Sequence, residues 1–504
     1  MLVNSSGNDG VGQGKQVIEK RAIEYIPLRE RHGKPWHVTP VWINCSANLT
    51  GLAIGAIGIF GGLSLVWSLV AITVGGLFGT FFAAFHASQG PQLGLPQMIQ
   101  SRPQYGYQGA VLIYVIAIGT YLGLNVFAIV MMGQTIARLL HVSETLGTTS
   151  STFLAVVGAV FGYDLVHRIS RWTTIAFVTV LVLLLISMPI VLHVSLASAG
   201  HGTFSLSAFM LQASAMAVGT LSWAPYVSDY TRYLPRLSLR ASFFGTYVGM
   251  SVTTIIVAGL SAVVTSAFPK LDIISAFHEA GDAFFTGFGT IVLVTTWLGT
   301  VLLVTMNTYG GALTVMSVVD SFRPVRPNAL VRPVLALVFG AVSLLISFAA
   351  SDTFITSFTN FLTVLFYALA PWTATNLVDF FFVRRGRYSV REIFNPRGMY
   401  GSWNWRGYTA YLVSLAVMVP FAMTAWWSGP IASDLGYDLA PFVGMVVSAL
   451  LYLALARGID LEEERRLIAV ADADLEVTEA GPGVAGTGDA PVSASRPIDL
   501  EGSL

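Results

Sequence analysis

Charge is what this 504-residue chain has least of: Asp, Glu, Lys and Arg make up 11% of it, against about 25% in an ordinary soluble domain. Apolar residues supply 54%, so the bulk of the chain belongs in a lipid bilayer. Basic and acidic residues are equal at 27 each, which leaves no net field to draw a nucleic-acid polymer or a cationic partner. Cysteine occurs once, as Cys45, excluding an intrachain disulfide, a thiolate metal cluster and a two-cysteine redox pair. No nucleophile, metal group or acid/base pair falls at membrane depth, which argues against an enzyme and against a bound cofactor. The first 37 residues are polar and lack the apolar core of a cleaved signal peptide, so the first span itself would target the chain.

What is present is a series of apolar runs near residues 41–66, 69–89, 108–137, 151–163, 173–195, 208–228, 241–267, 284–318, 330–350, 354–383, 408–428 and 439–456. A span needs roughly 20 apolar residues, so these runs predict an all-α polytopic membrane protein of about twelve helices. Lys and Arg collect on the cytoplasmic side of membrane proteins. With both termini cytoplasmic, 25 of the 27 basic residues fall on that side, and only Arg138 and Lys270 do not. The expected location is the cell membrane. The equality of charges is itself a sum: 24 basic and 16 acidic residues precede Asp460, while 3 basic and 11 acidic follow from it. The domain reading is therefore a cytoplasmic segment over 1–37, a membrane domain over 38–456, and a disordered acidic cytoplasmic tail over 457–504.

No acidic residue falls near the middle of a span, although an intramembrane carboxylate is the usual mark of a charged solute or a proton path. Asp164, Asp229, Asp320 and Asp379 lie at span ends, each followed within three to five residues by an arginine: Arg168, Arg232, Arg323 and Arg384. Such pairs fix helix ends, and Asp229 with Arg232 and Asp379 with Arg384 are candidates for an inward gate. The eight histidines lie at span ends or in loops. The path is furnished with Asn, Thr, Ser, Tyr and Trp, which suits a neutral planar solute held by ring faces and hydrogen bonds. A co-transported cation would then be held by carbonyl and hydroxyl oxygens, as sodium is.

Two spans are interrupted. The first carries WINCSANLTG with Asn44 and Asn48, then Gly51, Gly55 and Gly58; the sixth carries GTLSWAPYVSDYTRY with Pro225. Non-helical backbone at membrane depth is tolerated only where it lines a cavity. Matching interruptions five spans apart point to an inverted-repeat transporter. Repeat one would cover about 41–195 and repeat two about 208–383, with accessory helices over about 408–456. The segment GPQLGLPQMIQSRPQYGYQG between spans two and three is too polar and broken for a lipid-facing helix, and reads as a partly re-entrant cytoplasmic connection.

SWAPYVSDYTRYLP (222–235) resembles the sixth-span motif of the purine-cytosine permeases of nucleobase:cation symporter family one. GPQLGLPQMIQSRPQYGYQG, MNTYGGALTVMSVVDSF (306–322), APWTATNLVDFFFVRRGRY (370–388) and IEYIPLRERHG (23–33) are similar to the family in the same order. The resemblance runs from about residue 23 to 456 and leaves out the acidic tail. It implies a five-plus-five inverted repeat of the leucine-transporter type with two accessory helices, importing a neutral nucleobase, cytosine or a purine, by cation symport with alternating access. Allantoin, hydantoins and vitamin-like heterocycles are the alternatives, and a membrane sensor signalling through its tail is a reading of another class.

The resemblance further implies a solute site between spans one, three, six and eight. Tyr121 would stack on the ring and Asn125, one helical turn on, would read a polar edge. Trp223 would stack opposite, with Asn307, Asn44 and Asn48 as further polar contacts. The implied cation site uses backbone at Ala47 and Asn48 and the hydroxyls of Thr305 and Thr308. Where some relatives have adjacent Ser and Thr, this chain has Thr305 followed by Met306, which leaves the ion open between sodium and a proton. The implied partners are a small neutral heterocycle and the lipid bilayer; oligomeric state is unassigned, and a monomer is compatible with the reading.

Overall fold

The computed structural model describes residues 23–34, 36, 38–46, 48–161, 163–191, 204–236, 239–323, 330–349 and 354–472, with the backbone alone at 44, 45, 161, 163–171 and 191. Its named elements are helical throughout. The first span is two helices, α1 (Thr39–Ser46) and α2 (Leu49–Phe60). Then come α3 (Leu65–Leu93), α4 (Val111–Leu140), α5 (Glu144–Phe161) and α6 (Tyr163–Val191). The sixth span is again divided, into α7 (Leu206–Leu221) and α8 (Val227–Thr231). It is followed by α9 (Leu239–Ala267), the short α10 (Ile273–Asp282), α11 (Phe288–Phe322), α12 (Val331–Ser347) and α13 (Phe354–Val378). The accessory helices are α14 (Trp405–Met418) and α15 (Ala440–Ala456), and α16 (Leu461–Ala471) follows them.

Six of these helices are long and apolar enough to cross a bilayer alone. With the divided first and sixth spans and the shorter apolar helices, they make the twelve-span, five-plus-five architecture expected. The two halves match helix for helix. The helices after each divided span are both 29 residues (α3, α9), the next are 30 and 35 (α4, α11), and the next 18 and 17 (α5, α12). Each half also places one short helix between its second and third spans, Arg102–Tyr105 and α10.

Both interruptions have a local cause. At the first, Asn48 is extended and its amide oxygen accepts from Gly51 N at 2.8 Å and from the Thr50 hydroxyl, so the chain caps a new helix at mid-span. At the second, Pro225 forces a 3-10 turn over Ala224–Tyr226 before α8 begins. The span-one glycines do something else: a Cβ on Gly55 would lie 2.2 Å from the Ala258 carbonyl oxygen, so Gly55 serves the close approach of α2 to α9. Gln212 ties α7 to α2, accepting from Gly58 N at 2.6 Å and donating to the Ile54 carbonyl at 3.0 Å. The two divided spans are thereby fastened to one another.

The helices run past several of the apolar runs, furthest at the starts of α5 and α6. α5 begins at Glu144 rather than near 151, and α6 at Tyr163 rather than near 173, because a helix continues into the interface after its apolar residues end. Asp164 and Arg168 thus sit on a helix, their side chains outside the described residues. The acidic tail, expected to be disordered from 457, opens with the helix α16, and its remainder from 473 lies outside the described residues. Asp460 caps α16 by accepting from the Glu462 and Glu463 amides, and three glutamates in the first turn complement its dipole.

Candidate functional site

Where α1, α4, α11 and the turn between α7 and α8 converge, four aromatic side chains pack in a chain of edge and tilted contacts. Trp42 of α1 meets Trp223 at 5.9 Å, Trp223 meets Tyr226 at 5.1 Å, and Tyr226 meets Tyr121 of α4 at 4.9 Å. All are buried. Tyr121 also lies against Gly310 of α11, where an added Cβ would approach the phenol ring to 3.3 Å. Tyr121 and Trp223, expected to flank a solute from spans three and six, are therefore brought into one cluster, and Tyr226 is the link between them that the sequence reading missed.

The amides expected beside them are also brought in. Asn125 Nδ2 donates to Thr308 Oγ1 at 3.1 Å, and Asn307 Oδ1 accepts from the Tyr226 hydroxyl at 2.9 Å. Among the described residues the other half of each amide has no partner: Asn125 Oδ1 and Asn307 Nδ2 are buried and unsatisfied, and the buried Tyr121 hydroxyl has no hydrogen bond within 3.5 Å. A buried polar group left unpaired costs about 1–3 kcal/mol, so three in one cluster are a concentration of unmet hydrogen bonding. Chemically the cluster offers a carbonyl acceptor, an amide donor and a phenol among ring faces.

A cavity of about 30 Å³ opens between the two interruptions, lined by Ser46, Asn48, Ser222, Trp223, Leu124 and Met216 among others. It has room for water and not for a ring. Asn48 lines it, but its amide oxygen is occupied as the helix cap. The side chain of Asn44, and Ala47 altogether, lie outside the described residues.

On the cation side the structure redistributes the expected hydroxyls. Thr305 Oγ1 lies 3.0 Å from the Ala155 carbonyl of α5 and 2.8 Å from that of Val301, so it is engaged with α5 and with its own helix. Thr308 receives Asn125. The α11 hydroxyl that reaches the span-one interruption is that of Thr300, which accepts from Leu49 N at 2.9 Å and donates to the Thr296 carbonyl.

At the arginine-rich end the connection between α3 and α4 takes hold of three carboxylates of the second half. Gln97 N donates to Asp229 at 2.8 Å, Arg102 pairs with Asp320 at 2.8 Å, and Gln104 Nε2 donates to Asp379 at 2.6 Å. Asp379 and Arg384 pair as expected, both buried, and Asp379 further accepts from Tyr388 at 2.8 Å and Tyr452 at 2.9 Å. Asp320 departs from the local pattern: its ion pair is with Arg102, not a pairing with Arg323 three residues on, and the Tyr107 hydroxyl adds a second bond at 2.9 Å. Arg232 donates to the Glu24 carbonyl and the Tyr233 hydroxyl. Amide side chains continue this network inward. Gln104 accepts from Asn376, Asn376 from Gln89 and Gln89 from Gln97, and Gln97 lies 3.0 Å from His86 Nδ1. His86, one of the histidines assigned to span ends, is fully buried within α3 and stacks on Trp372 at 4.7 Å.

Residues 25–444 match the model of a family described as permeases for cytosine/purines, uracil, thiamine and allantoin. A putative purine-cytosine permease of Bacillus subtilis is 34% identical over 448 residues, covering 87% of this chain and 96% of that protein. A purine-cytosine permease of Emericella nidulans is 26% identical, covering 87% and 88%. Among solved structures, the closed, bromovinylhydantoin-bound form of a nucleobase-cation-symport-1 family transporter superposes with a TM-score of 0.71 at 18% identity, covering 92% of this chain and all of that one. The inward-facing form of that transporter superposes with a TM-score of 0.66 at 17% identity, covering 90% and 99%.

Proposed function

The chain belongs to the permeases for cytosine/purines, uracil, thiamine and allantoin, a multi-pass membrane transporter family, and we propose that it imports a neutral nucleobase, cytosine or a purine, together with a cation. The observation that carries this reading is the cluster of unmet hydrogen bonds among aromatic faces: Asn125 Oδ1, Asn307 Nδ2 and the Tyr121 hydroxyl. A nucleobase edge presents donors and acceptors side by side in one plane, and binding it would satisfy these groups while its faces meet Tyr121 and Trp223. Among the described residues no carboxylate hydrogen-bonds to these three groups, in keeping with a neutral solute.

Transport proceeds by alternating access, with the joined first and sixth spans rocking against the rest. The arginine-rich end is the cytoplasmic one, both termini lie on that side, and the membrane is the plasma membrane. The cation sits at the span-one interruption, held by backbone near Ala47 and Asn48 and by hydroxyls of α11. Thr300 is the α11 hydroxyl in contact with that interruption, and Thr308 joins the site to Asn125. Oxygen ligands without a carboxylate favour sodium over a proton. One cation moving inward gains about 2.3 kcal/mol per 100 mV of potential, roughly a 50-fold concentration ratio.

A vitamin-like substrate is the second reading. It is favoured by similarity to a vitamin B6 transporter of Saccharomyces cerevisiae, 25% identical over 324 residues and covering 59% of this chain and 55% of that protein. The deciding experiment is uptake of labelled cytosine, adenine, hypoxanthine, uracil, allantoin, a hydantoin and pyridoxine into proteoliposomes, with sodium and pH varied independently. Saturable, sodium-dependent cytosine or purine accumulation is expected. Pyridoxine alone would transfer the assignment to the second reading, and accumulation of none of them would end both.

A further inference from the structure

Beyond the family's segment the chain does something specific. α15 ends at Ala456 and the next helix, α16, is turned 82° from it, so α16 lies across the arginine-rich face instead of projecting from it. It is gripped at both ends. Near its start, Glu464 receives Arg384 Nε and Nη2 at 2.9 Å each, a two-pronged pairing with an arginine whose third nitrogen is on Asp379. Just past its end, Asp472 accepts from the Ser389 hydroxyl at 2.9 Å, from Val390 N at 3.0 Å and from Arg391 N at 3.4 Å. The segment held between these contacts, 384–391, is the continuation of the π-helical turn Asp379–Val383. Asp379 in turn holds Gln104 of the connection between α3 and α4.

We propose that Glu464 and Asp472 are positioning residues of the inward gate. The tail helix fixes Arg384 and the turn after it, Arg384 fixes Asp379, and Asp379 keeps the connection over 94–110 shut; the tail thereby sets the ratio of closed to inward-open transporter. The proposal rests on the transporter reading for its consequence and on the contacts alone for its geometry. Arg384 is buried with two carboxylates, and without Glu464 a desolvated guanidinium keeps one of them, which loosens the gate without dismantling it. Glu463, one residue earlier, is bonded to Arg466 on the helix surface and touches nothing of the gate in these contacts, so it serves as the control.

The test uses the full chain carrying Glu464→Gln, Asp472→Asn, Glu464→Asp or Glu463→Gln. In lipid nanodiscs, hydrogen exchange is followed in peptides over 97–108 and 379–391, with 420–440 as the reference. Glu464→Gln and Asp472→Asn are expected to speed exchange about 10-fold in the first two and leave the reference unchanged; Glu463→Gln is expected to match the parent, and Glu464→Asp to recover most of the protection. In proteoliposomes, a gate that opens inward more readily leaves less outward-competent transporter. The apparent KM for external solute should therefore rise about 5- to 20-fold with maximal rate retained, whereas lost fold would lower the rate alone. Unchanged exchange in both gate peptides, or faster exchange in every peptide, overturns the proposal. If exchange changes as expected while no heterocycle is transported, the gate inference stands and the transport reading falls.

Discussion

The middle of the membrane and the arginine-rich face are built on opposite principles of hydrogen bonding. At mid-membrane, Asn125 Oδ1, Asn307 Nδ2 and the Tyr121 hydroxyl are buried without a hydrogen-bond partner among the described residues. At the face, Asp379 alone takes bonds from Gln104, Tyr388, Tyr452 and Arg384. An interior that leaves polar groups wanting is stable only because the rest of the fold holds it, and it gains on binding something that completes them. A face that completes itself needs nothing more to stay closed. On the proposed reading the difference separates two tasks: recognition would belong to the unmet groups and closure to the met ones.

Breaking the satisfied region should cost the most. Asp379→Ala removes four bonds at once and leaves Arg384 buried with a single carboxylate, a change worth about 3–5 kcal/mol. We expect a fall of many degrees in the thermal midpoint of the purified protein, measured by tryptophan fluorescence in detergent. A midpoint within two degrees of the parent, by rough measure, would show that this network does not hold the fold.

The same operation at mid-membrane should do the reverse. Asn125→Ala deletes an amide whose oxygen is already unpaired, so stability should change by about 1 kcal/mol or less. The apparent affinity for solute should weaken about 10- to 100-fold, as expected when a site built to hydrogen-bond an edge loses one partner. Uptake titrations beside thermal midpoints separate the two effects, and an unchanged affinity would remove Asn125 from the site. Thr300→Val is smaller again. It keeps the shape but withdraws the acceptor from Leu49 N, worth about 1 kcal/mol, and should raise the sodium concentration for half-maximal uptake about five-fold with solute affinity at saturating sodium little changed. A shift confined to solute affinity would take Thr300 out of the cation site.

How much of this was legible in the sequence follows from how local each signal is. The two interruptions were readable because Asn48 and Pro225 act on their own backbone. Asp379 and Arg384 were readable too, although five residues apart is the wrong interval for an α-helix. The chain makes a π-helical turn there, with Arg384 N bonded to the Asp379 carbonyl at 2.8 Å, which brings residue i+5 over residue i. Arg102 and Asp320 lie 218 positions apart, and nothing local to Asp320 outweighs the nearby Arg323. The α11 hydroxyl in contact with the first interruption is that of Thr300, and a signal for it lies in the register. Thr300 is two helical turns before Asn307 and shares its face, whereas Thr305, two residues before it, points to the opposite side. Tyr226, directly after Pro225, was not legible, because nothing local to it marks a phenol that donates to an amide 81 positions away.

That hydroxyl gives the finest contrast between the two regions, because the bond Tyr226 makes holds one end of the Asn307 amide. By donating to Asn307 Oδ1, it leaves Nδ2 as the end of that amide without a partner among the described residues, so the proposed site would present an amide donor there. Tyr226→Phe keeps the ring that packs on Tyr121 and Trp223 and withdraws only the proton. The Asn307 amide is then free to rotate and to offer its oxygen to a solute N–H. The loss in affinity for the preferred base should be small, about 0.5–1 kcal/mol, while preference between bases that differ by exchange of an amino and a carbonyl group, such as cytosine and uracil, should narrow by about five-fold. Competition of each base against labelled solute measures this ratio directly. Equal loss for both bases would mean that Tyr226 contributes packing alone, and that the donor at Asn307 is oriented by the helix and not by the phenol.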